Sequence, residues 1–222
     1  MTTEPSVRDQ LVASAEELYA ERGIDGVSLR EINAASGARN ASALQYHFGG
    51  RAGLLGAILA KHRSAVEARR HALLDAYDAA GRDDLRALAG ALVRPLAEEL
   101  TEPGGPGYLQ VLSDLANRPH PAIDPATVED PTDSVYRWRA TVEPLLSAEA
   151  VVLHRRFVAV RFTLAELARR TRDRRGPDDE LFVPDLVDLV AGVLAAPVSP
   201  ETVAAARARR RVGPAGATGD AG

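Results

Sequence analysis

The chain has 222 residues, an apolar share of 45%, a formal net charge of −4 and no cysteine. This length permits one or two domains with a buried core, and the missing cysteines exclude disulfides, thiolate nucleophiles and cysteine-based zinc sites. No basic start leads into an apolar run, and no apolar stretch approaches the ~20 residues of a membrane helix. We therefore expect a soluble, cytoplasmic protein.

The N-terminal region begins with two predicted helices. The first covers about residues 6–22 with apolar side chains at helical spacing, and Gly23 ends it. Ser28 and Glu31 have the spacing of a capping box at the start of the second. Its predicted inward face consists of Leu29, Ile32 and Ala35.

A third short helix is predicted from about residue 40 to residue 47, after a stop at Gly37, with Leu44 and Phe48 facing inward. Helices this short are unstable alone. Two of them joined by a tight turn form a helix-turn-helix, whose second helix enters a DNA major groove. Residues 28–63 carry five basic side chains and one acidic one, a net +4 that suits phosphate contacts.

The rest of the chain predicts further helices and no strand, so the expected fold class is all-α. A long connector helix should cover residues 51–80 after Gly49 and Gly50. Later helices are predicted over 84–102 with a kink at Pro95, and over 108–116, 132–146, 148–172, 181–196 and 201–211. Residues 103–107 and 117–131 are predicted loops, and 212–222 a disordered tail.

Several motifs recur in order within the first 62 residues: Glu21-Arg22-Gly23, Leu29-Arg30-Glu31-Ile32, Leu44-Gln45-Tyr46-His47-Phe48, Gly49-Gly50-Arg51, and Leu54, Leu55, Ile58 and Leu59. Together they resemble the signature of TetR-family transcriptional repressors. Between Gly37 and Tyr46 the chain has one residue more than the commonest family spacing, which lengthens the turn or the start of the recognition helix. The resemblance implies a helix-turn-helix DNA-binding domain over 1–50 and a helical ligand-sensing and dimerisation domain over 51–200, followed over 201–222 by a short basic helix and the tail.

The candidate DNA-contacting residues lie on and around the third helix. Tyrosine, histidine and arginine side chains can donate to phosphates, Gln and Asn can bind adenine, Arg can bind guanine, and Ala can meet a thymine methyl. The set is Ser28, Arg30, Arg39, Asn40, Ala41, Ser42, Gln45, Tyr46, His47 and Arg51. Two alternatives are open at this point: Tyr46 can pack within the small domain, and Asn40 can be a helix N-cap.

The family resemblance also implies a homodimer through the last two long helices, 148–172 and 181–196, and a pocket for a small-molecule effector. The candidate pocket residues are Tyr108, Leu112, Trp138, His154, Phe157, Arg161 and Phe162, with His154 as a polar anchor; the alternative for each is a place in the core or on the surface. The implied protein is a repressor that leaves a near-palindromic operator when an effector binds.

No catalytic, phosphate-binding or metal-binding motif occurs in the sequence. The acidic residues Asp124, Glu129, Asp130 and Asp133 lack an ordered ligand spacing and predict a solvated loop. We therefore expect no enzymatic activity, no metal and no cofactor. Two other functions are kept: a DNA-binding regulator without a small-molecule effector, and a helical enzyme or scaffold that has lost DNA binding.

Overall fold

The computed structural model describes residues 6–38, 40, 42–81, 83–118, 130–173 and 180–211. These residues form eleven α-helices and no strand, which confirms the predicted all-α fold. The helices are α1 Val7–Arg22, α2 Leu29–Ala35, α3 Ala43–Phe48, α4 Arg51–Ala80, α5 Leu85–Ala97, α6 Gly105–Ala116, α7 Ser134–Val142, α8 Ala148–Val152, α9 Arg155–Arg172, α10 Phe182–Ala195 and α11 Pro200–Arg211. Short 3-10 turns, Glu98–Leu100 and Glu143–Leu145, follow α5 and α7.

The 30-residue helix α4 connects the two regions of the chain. Near its N-terminus, Leu54 and Ile58 are fully buried and help to close the core of the three N-terminal helices. Further along, Val66 and Leu74 are buried where α4 packs against α5, α6 and α7. At 1.5 Å per residue such a helix spans roughly 45 Å, so one rigid element reaches from α3 into the C-terminal helices.

The C-terminal helices pack in pairs around this connector. α5 lies between α4 and α10, while α6 lies between α1 and α9. Trp138 of α7 is completely buried, and its indole N–H donates to the Leu88 carbonyl at 2.8 Å. α1 therefore packs against a helix of the C-terminal region as well as against its own small domain.

The predicted continuous helix over 148–172 is wrong. It is interrupted at His154, whose φ of 54° is the only positive value for a non-glycine residue in the described part of the chain. The interruption separates α8 from α9 and puts Arg155 at the start of α9. There its guanidinium donates to the carbonyl of Val193 in the last turn of α10, which a helix leaves without an intrahelical partner, and to the carbonyls of Ala196 and Pro197 just after it.

Other differences concern helix ends and one inward face. Ala35 is exposed, and Asn33 is buried beside Ile32 instead. The loop predicted over 103–107 is partly helical, because α6 begins at Gly105. A Cβ added at Gly107 would lie only 2.1 Å from the Glu16 backbone oxygen, so glycine permits the close contact of α6 with α1.

Several predictions fall outside the described residues. These are most of the loop over 117–131 and the tail over 212–222. In the described part of the chain, no single helix is long and apolar enough to cross a membrane. Within the same residues, α10 and the first part of α11 together have the length and composition of a membrane span, but they are bent by 60° at their junction.

Candidate nucleic-acid interface

The predicted capping box at the start of α2 is confirmed. Ser28 Oγ accepts from the Glu31 backbone N–H at 3.2 Å, and Glu31 Oε2 accepts from the Ser28 backbone N–H at 2.8 Å. This backbone hydrogen bond, the Ser28 hydroxyl and the Arg22 guanidinium at 2.8 Å together lower the pKa of Glu31 to about 2. The Ser28 side chain, a candidate DNA contact, thus caps the N-terminus of α2.

The buried amide of Asn33 attaches α3 to α2. Its Oδ1 accepts from the Leu44 backbone N–H and its Nδ2 donates to the Asn40 carbonyl, both at 3.3 Å. With Leu44 buried as well, α3 is held from its inner side. The sequence analysis missed Asn33, although a polar residue four positions after Leu29 on an otherwise apolar face was a signal.

The segment before α3 is organised by Asn40, whose Oδ1 accepts from the Ser42 backbone N–H at 3.0 Å and from its hydroxyl at 2.7 Å. This is an Asx turn rather than the predicted N-cap, because α3 begins only at Ala43. Both side chains are exposed on the same side of the turn. Arg39 and Ala41, two other candidates, lie outside the described residues.

Polar and aromatic side chains of α3 point into solvent. Gln45 and His47 are exposed, and Tyr46 is 84% exposed, which rules out the alternative that Tyr46 packs within the small domain. The Tyr46 and His47 rings meet edge to face with centroids 5.1 Å apart. This helix therefore presents hydrogen-bonding groups outward, while its inner side is fixed by Leu44.

Arg51, predicted to contact phosphate, has internal partners. Its Nη1 donates to the Ile24 carbonyl at 2.6 Å and its Nη2 to the Val27 carbonyl at 2.7 Å. The guanidinium thereby joins the start of α4 to the turn between α1 and α2. A contact with DNA through Arg51 stays a prediction, and the geometry gives this residue a structural role in any case.

Two further cations that the sequence places in the basic stretch also have protein partners. Lys61 binds Glu16 at 2.6 Å, and Arg63 binds Glu67 and Asp133. Arg30 is exposed on α2 and makes no ion pair or side-chain hydrogen bond with the described residues, so it is free to meet a phosphate. The net charge of +4 over residues 28–63 therefore overstates the positive charge available to a ligand.

The candidate effector residues do not form one cluster. Tyr108 and Trp138 are buried, and Leu112 and Phe162 are half-buried against the core. His154 and Arg161 are exposed, and Phe157 is 41% exposed with the Arg139 guanidinium 5.0 Å above its ring. Tyr108 stacks on His62 with a centroid distance of 4.7 Å, and burial raises the pKa of its hydroxyl.

An open surface cavity of about 270 Å³, half of whose lining residues are exposed, lies elsewhere, between α4, α5 and α10. It is lined by Leu73, Ala76, Tyr77, Ala80, Asp84, Arg86, Ala87, Gly90, Arg94 and Val187. None of the predicted effector residues lines this cavity, which the sequence analysis missed because its lining comes from three separate helices.

Within the described residues, no group of three or more His, Cys, Asp or Glu side chains could hold a metal ion. Asp130 accepts from the Thr132 backbone and hydroxyl, and Asp133 caps α7 through the Val135 and Tyr136 N–H groups. These two members of the predicted acidic loop have local structural roles, while Asp124 and Glu129 lie outside the described part of the chain.

Residues 11–58 match the sequence model of the family described as bacterial regulatory proteins, tetR family. No curated protein sequence matches the chain. The matched segment begins in α1 and ends in α4, and thus contains the capping box, Asn33 and the exposed face of α3. This match identifies the N-terminal helix-turn-helix as the DNA-binding domain type of bacterial regulatory proteins of the tetR family.

Proposed function

We propose that the protein is a homodimeric repressor that binds a near-palindromic DNA operator and leaves it when a small molecule binds. The observation that carries the DNA-binding part is the exposed face of α3, where Gln45, Tyr46 and His47 have no structural role in the chain's core. Ser42 and Asn40 extend this face at the start of the helix. Gln45 is assigned to a base edge, Tyr46 and His47 to phosphates.

The test is fluorescence anisotropy with DNA from upstream of the protein's own gene. Specific binding should survive competitor DNA, and Gln45→Ala should weaken it without changing binding to unrelated DNA. Glu17→Ala is a matched control, because Glu17 is exposed on α1. Equal affinity of Gln45→Ala and the parent protein for the true operator would remove Gln45 from the base-reading set.

Exposed apolar side chains on α9 and α10 support the homodimer. Phe157 and Val158 on α9 are 41% and 40% exposed, and Leu189 on α10 is 48% exposed. Since these two helices already pack against each other, a second copy would cover both exposed sides in one four-helix contact. Two recognition helices related by a twofold axis would then meet two half-sites spaced by a helical turn or a multiple of it.

Sedimentation velocity tests the dimer. The parent chain should sediment as a dimer at micromolar concentration, whereas Leu189→Glu should shift it to monomer by burying a charge in the contact. Ala79→Glu on α4 is the control, since Ala79 is exposed and distant in sequence from both helices. A parent chain that is monomeric would contradict this part of the proposal.

The effector part is supported by the cavity between α4, α5 and α10. Its lining combines apolar residues with Tyr77 and Arg94, which suits a small amphiphilic molecule. Binding at Tyr108 or Trp138, by contrast, would require a side chain that is buried in the core to move. By linkage, a ligand releases DNA only if it binds the DNA-free conformation more tightly.

A thermal-shift screen followed by the anisotropy assay tests for an effector. A stabilising compound should also release the DNA. Ala87→Leu should abolish its effect by filling the cavity, whereas Ala79→Leu, outside the cavity lining, should not. If no compound stabilises the protein and its DNA binding is intact, the alternative of a regulator without a small-molecule effector is favoured.

A further inference from the structure

A buried cluster of charged side chains joins α1 of the DNA-binding domain to the C-terminal helices. His62 of α4 lies between two carboxylates: its Nε2 is 3.0 Å from Glu16 Oε1, and its Nδ1 is 2.6 Å from Glu99 Oε2. Glu16 belongs to α1 and Glu99 to the 3-10 turn after α5. All three side chains are at most 7% exposed. We call these three residues the interdomain cluster.

The two short contacts fix the number of protons in the interdomain cluster. A neutral imidazole has one N–H, whereas both ring nitrogens here face carboxylate oxygens, and an ionised carboxylate only accepts hydrogen bonds. The geometry therefore needs one proton more than a neutral His62 beside two ionised carboxylates can supply. That extra proton is required whether it resides on the imidazole or on a carboxylate.

Two cations of α4 pair with the two carboxylates of the interdomain cluster. Lys61 of α4 binds Glu16 at 2.6 Å, and Arg69 of α4 binds Glu99 at 2.8 Å, with Glu98 and Glu102 on its outer side. From α6, Tyr108 stacks on the imidazole. Burial by itself would lower the pKa of His62, but the hydrogen bonds that its ring N–H groups donate to Glu16 and Glu99 outweigh it and raise that pKa to about 9.

The DNA-binding domain makes a second contact with α6, at the other end of that helix. The Ile24 backbone N–H, in the turn after α1, donates to Asp114 Oδ2 of α6 at 3.0 Å. From α6, Gln110 Nε2 donates to the Ala168 carbonyl at 2.6 Å in α9. The DNA-binding domain is thus docked on α6, and α6 is bonded to a helix of the proposed dimer contact.

We infer that His62 is a positioning residue whose bound proton holds the DNA-binding domain on α6, so that docking of this domain is linked to pH. When α1 undocks, His62 loses Glu16, and its pKa falls from about 9 toward its ordinary value of about 6.5. Docking therefore takes up a proton between about pH 6.5 and pH 9. Its stabilisation is complete below about pH 6.5 and is lost as the pH rises through about 9.

Hydrogen exchange followed by NMR tests this inference without DNA or effector, so its outcome is independent of the proposed operator and ligand. The Ile24 amide reports docking, because its hydrogen bond crosses the boundary. The Leu44 amide reports unfolding of the small domain, because its bond to Asn33 lies within it. After correction for intrinsic exchange, the protection of Ile24 should fall by a factor on the order of ten between pH 7 and pH 8.5, while that of Leu44 should not.

Variants separate a proton-linked contact from simple packing. Glu16→Gln should flatten the pH dependence at Ile24, and Glu99→Gln does the same from the C-terminal side if the first variant does not fold. Gly107→Ala, which wedges α6 from α1, should lower the protection but keep its pH dependence. His71→Gln is the matched control, since His71 lies on α4 and contacts Thr132 and Arg137.

Four outcomes would overturn the inference. These are an Ile24 amide that is unprotected at pH 7, a protection that does not vary with pH, a decrease shared equally by Leu44, and an unchanged pH dependence in both carboxylate variants.

Discussion

The DNA-binding domain has two polar surfaces of opposite character. On α3, Gln45, Tyr46 and His47 extend into solvent, and the ring contacts of the last two are confined to neighbours on the same helix. At the boundary with α6, Glu16 and His62 are buried and bonded on both sides. The comparison teaches that a polar side chain gains its role from its partners. The α3 surface is available to a ligand, whereas the side chains at the boundary with α6 already hold the protein together.

The largest expected effect on stability comes from replacing His62, which lies at the centre of the interdomain cluster. His62→Ala leaves Glu16 and Glu99 buried without the cation between them and should lower the free energy of unfolding by about 3–5 kcal/mol. Urea unfolding at pH 7 measures this. His71→Ala, on the same helix, should cost less than about 1 kcal/mol, and a similarly small effect for His62→Ala would show that the cluster does not stabilise the fold.

Arg51 tests whether a residue belongs to the DNA-binding surface or to the framework of the domain. The sequence predicted a phosphate contact for it, whereas in the structure it donates to two backbone carbonyls. Arg51→Met should lower the free energy of unfolding by about 1.5–3 kcal/mol, since it removes charge-assisted hydrogen bonds from partly buried acceptors. Urea unfolding of this variant beside Arg30→Met provides the comparison. If Arg51→Met had the stability of the parent protein but bound DNA weakly, Arg51 would act as a phosphate contact and not as a structural residue.

For the exposed face of α3, we expect a loss of DNA affinity and little loss of stability. Gln45→Ala should weaken specific binding by roughly 1–3 kcal/mol and change the free energy of unfolding by no more than about 0.5 kcal/mol. Paired anisotropy and urea measurements on one preparation separate the two quantities. A loss of stability as large as the loss of affinity would place Gln45 in the framework of the domain instead.

The smallest effect is expected at the cap of α2. Ser28→Ala removes the hydroxyl that accepts from Glu31 N–H and should lower the free energy of unfolding by about 1 kcal/mol. Because the folded pKa of Glu31 is depressed to about 2, the stabilisation from its ionised form is present above the unfolded pKa of about 4.3. It is lost as the pH falls toward 2. In thermal melts between pH 2 and pH 6, the difference between Ser28→Ala and the parent chain should narrow at the acidic end, where the hydroxyl's bond to the ionised Glu31 carboxylate is lost but its bond from the Glu31 N–H persists.

The sequence predicted those features that depend on neighbours along the chain. The capping box of Ser28 and Glu31, the stop at Gly23 and the full extent of α4 were all predicted, since caps, glycines and helical periodicity act locally. The break at His154 was not, because the apolar pattern continues through it and the compensating bonds of Arg155 come from the end of α10.

The site was predicted in part for the same reason. Gln45, Tyr46 and His47 follow from the motif, and their exposure agrees with the expected surface. The partners of Lys61 and Arg63 could not be read from their spacing, because Glu16 and Asp133 are 45 and 70 residues away. Charge counted along a sequence therefore does not distinguish a phosphate-binding cation from one that is already paired.

Anisotropy on the DNA upstream of the protein's own gene, titrated across salt with and without competitor DNA, tests the assignment of the α3 face most directly. We predict saturable binding that survives competitor and that Gln45→Ala weakens, with an affinity that falls as the salt concentration rises because phosphate contacts release counterions. Absence of binding to any DNA even at low salt, by a folded and dimeric protein, would contradict the role given to α3.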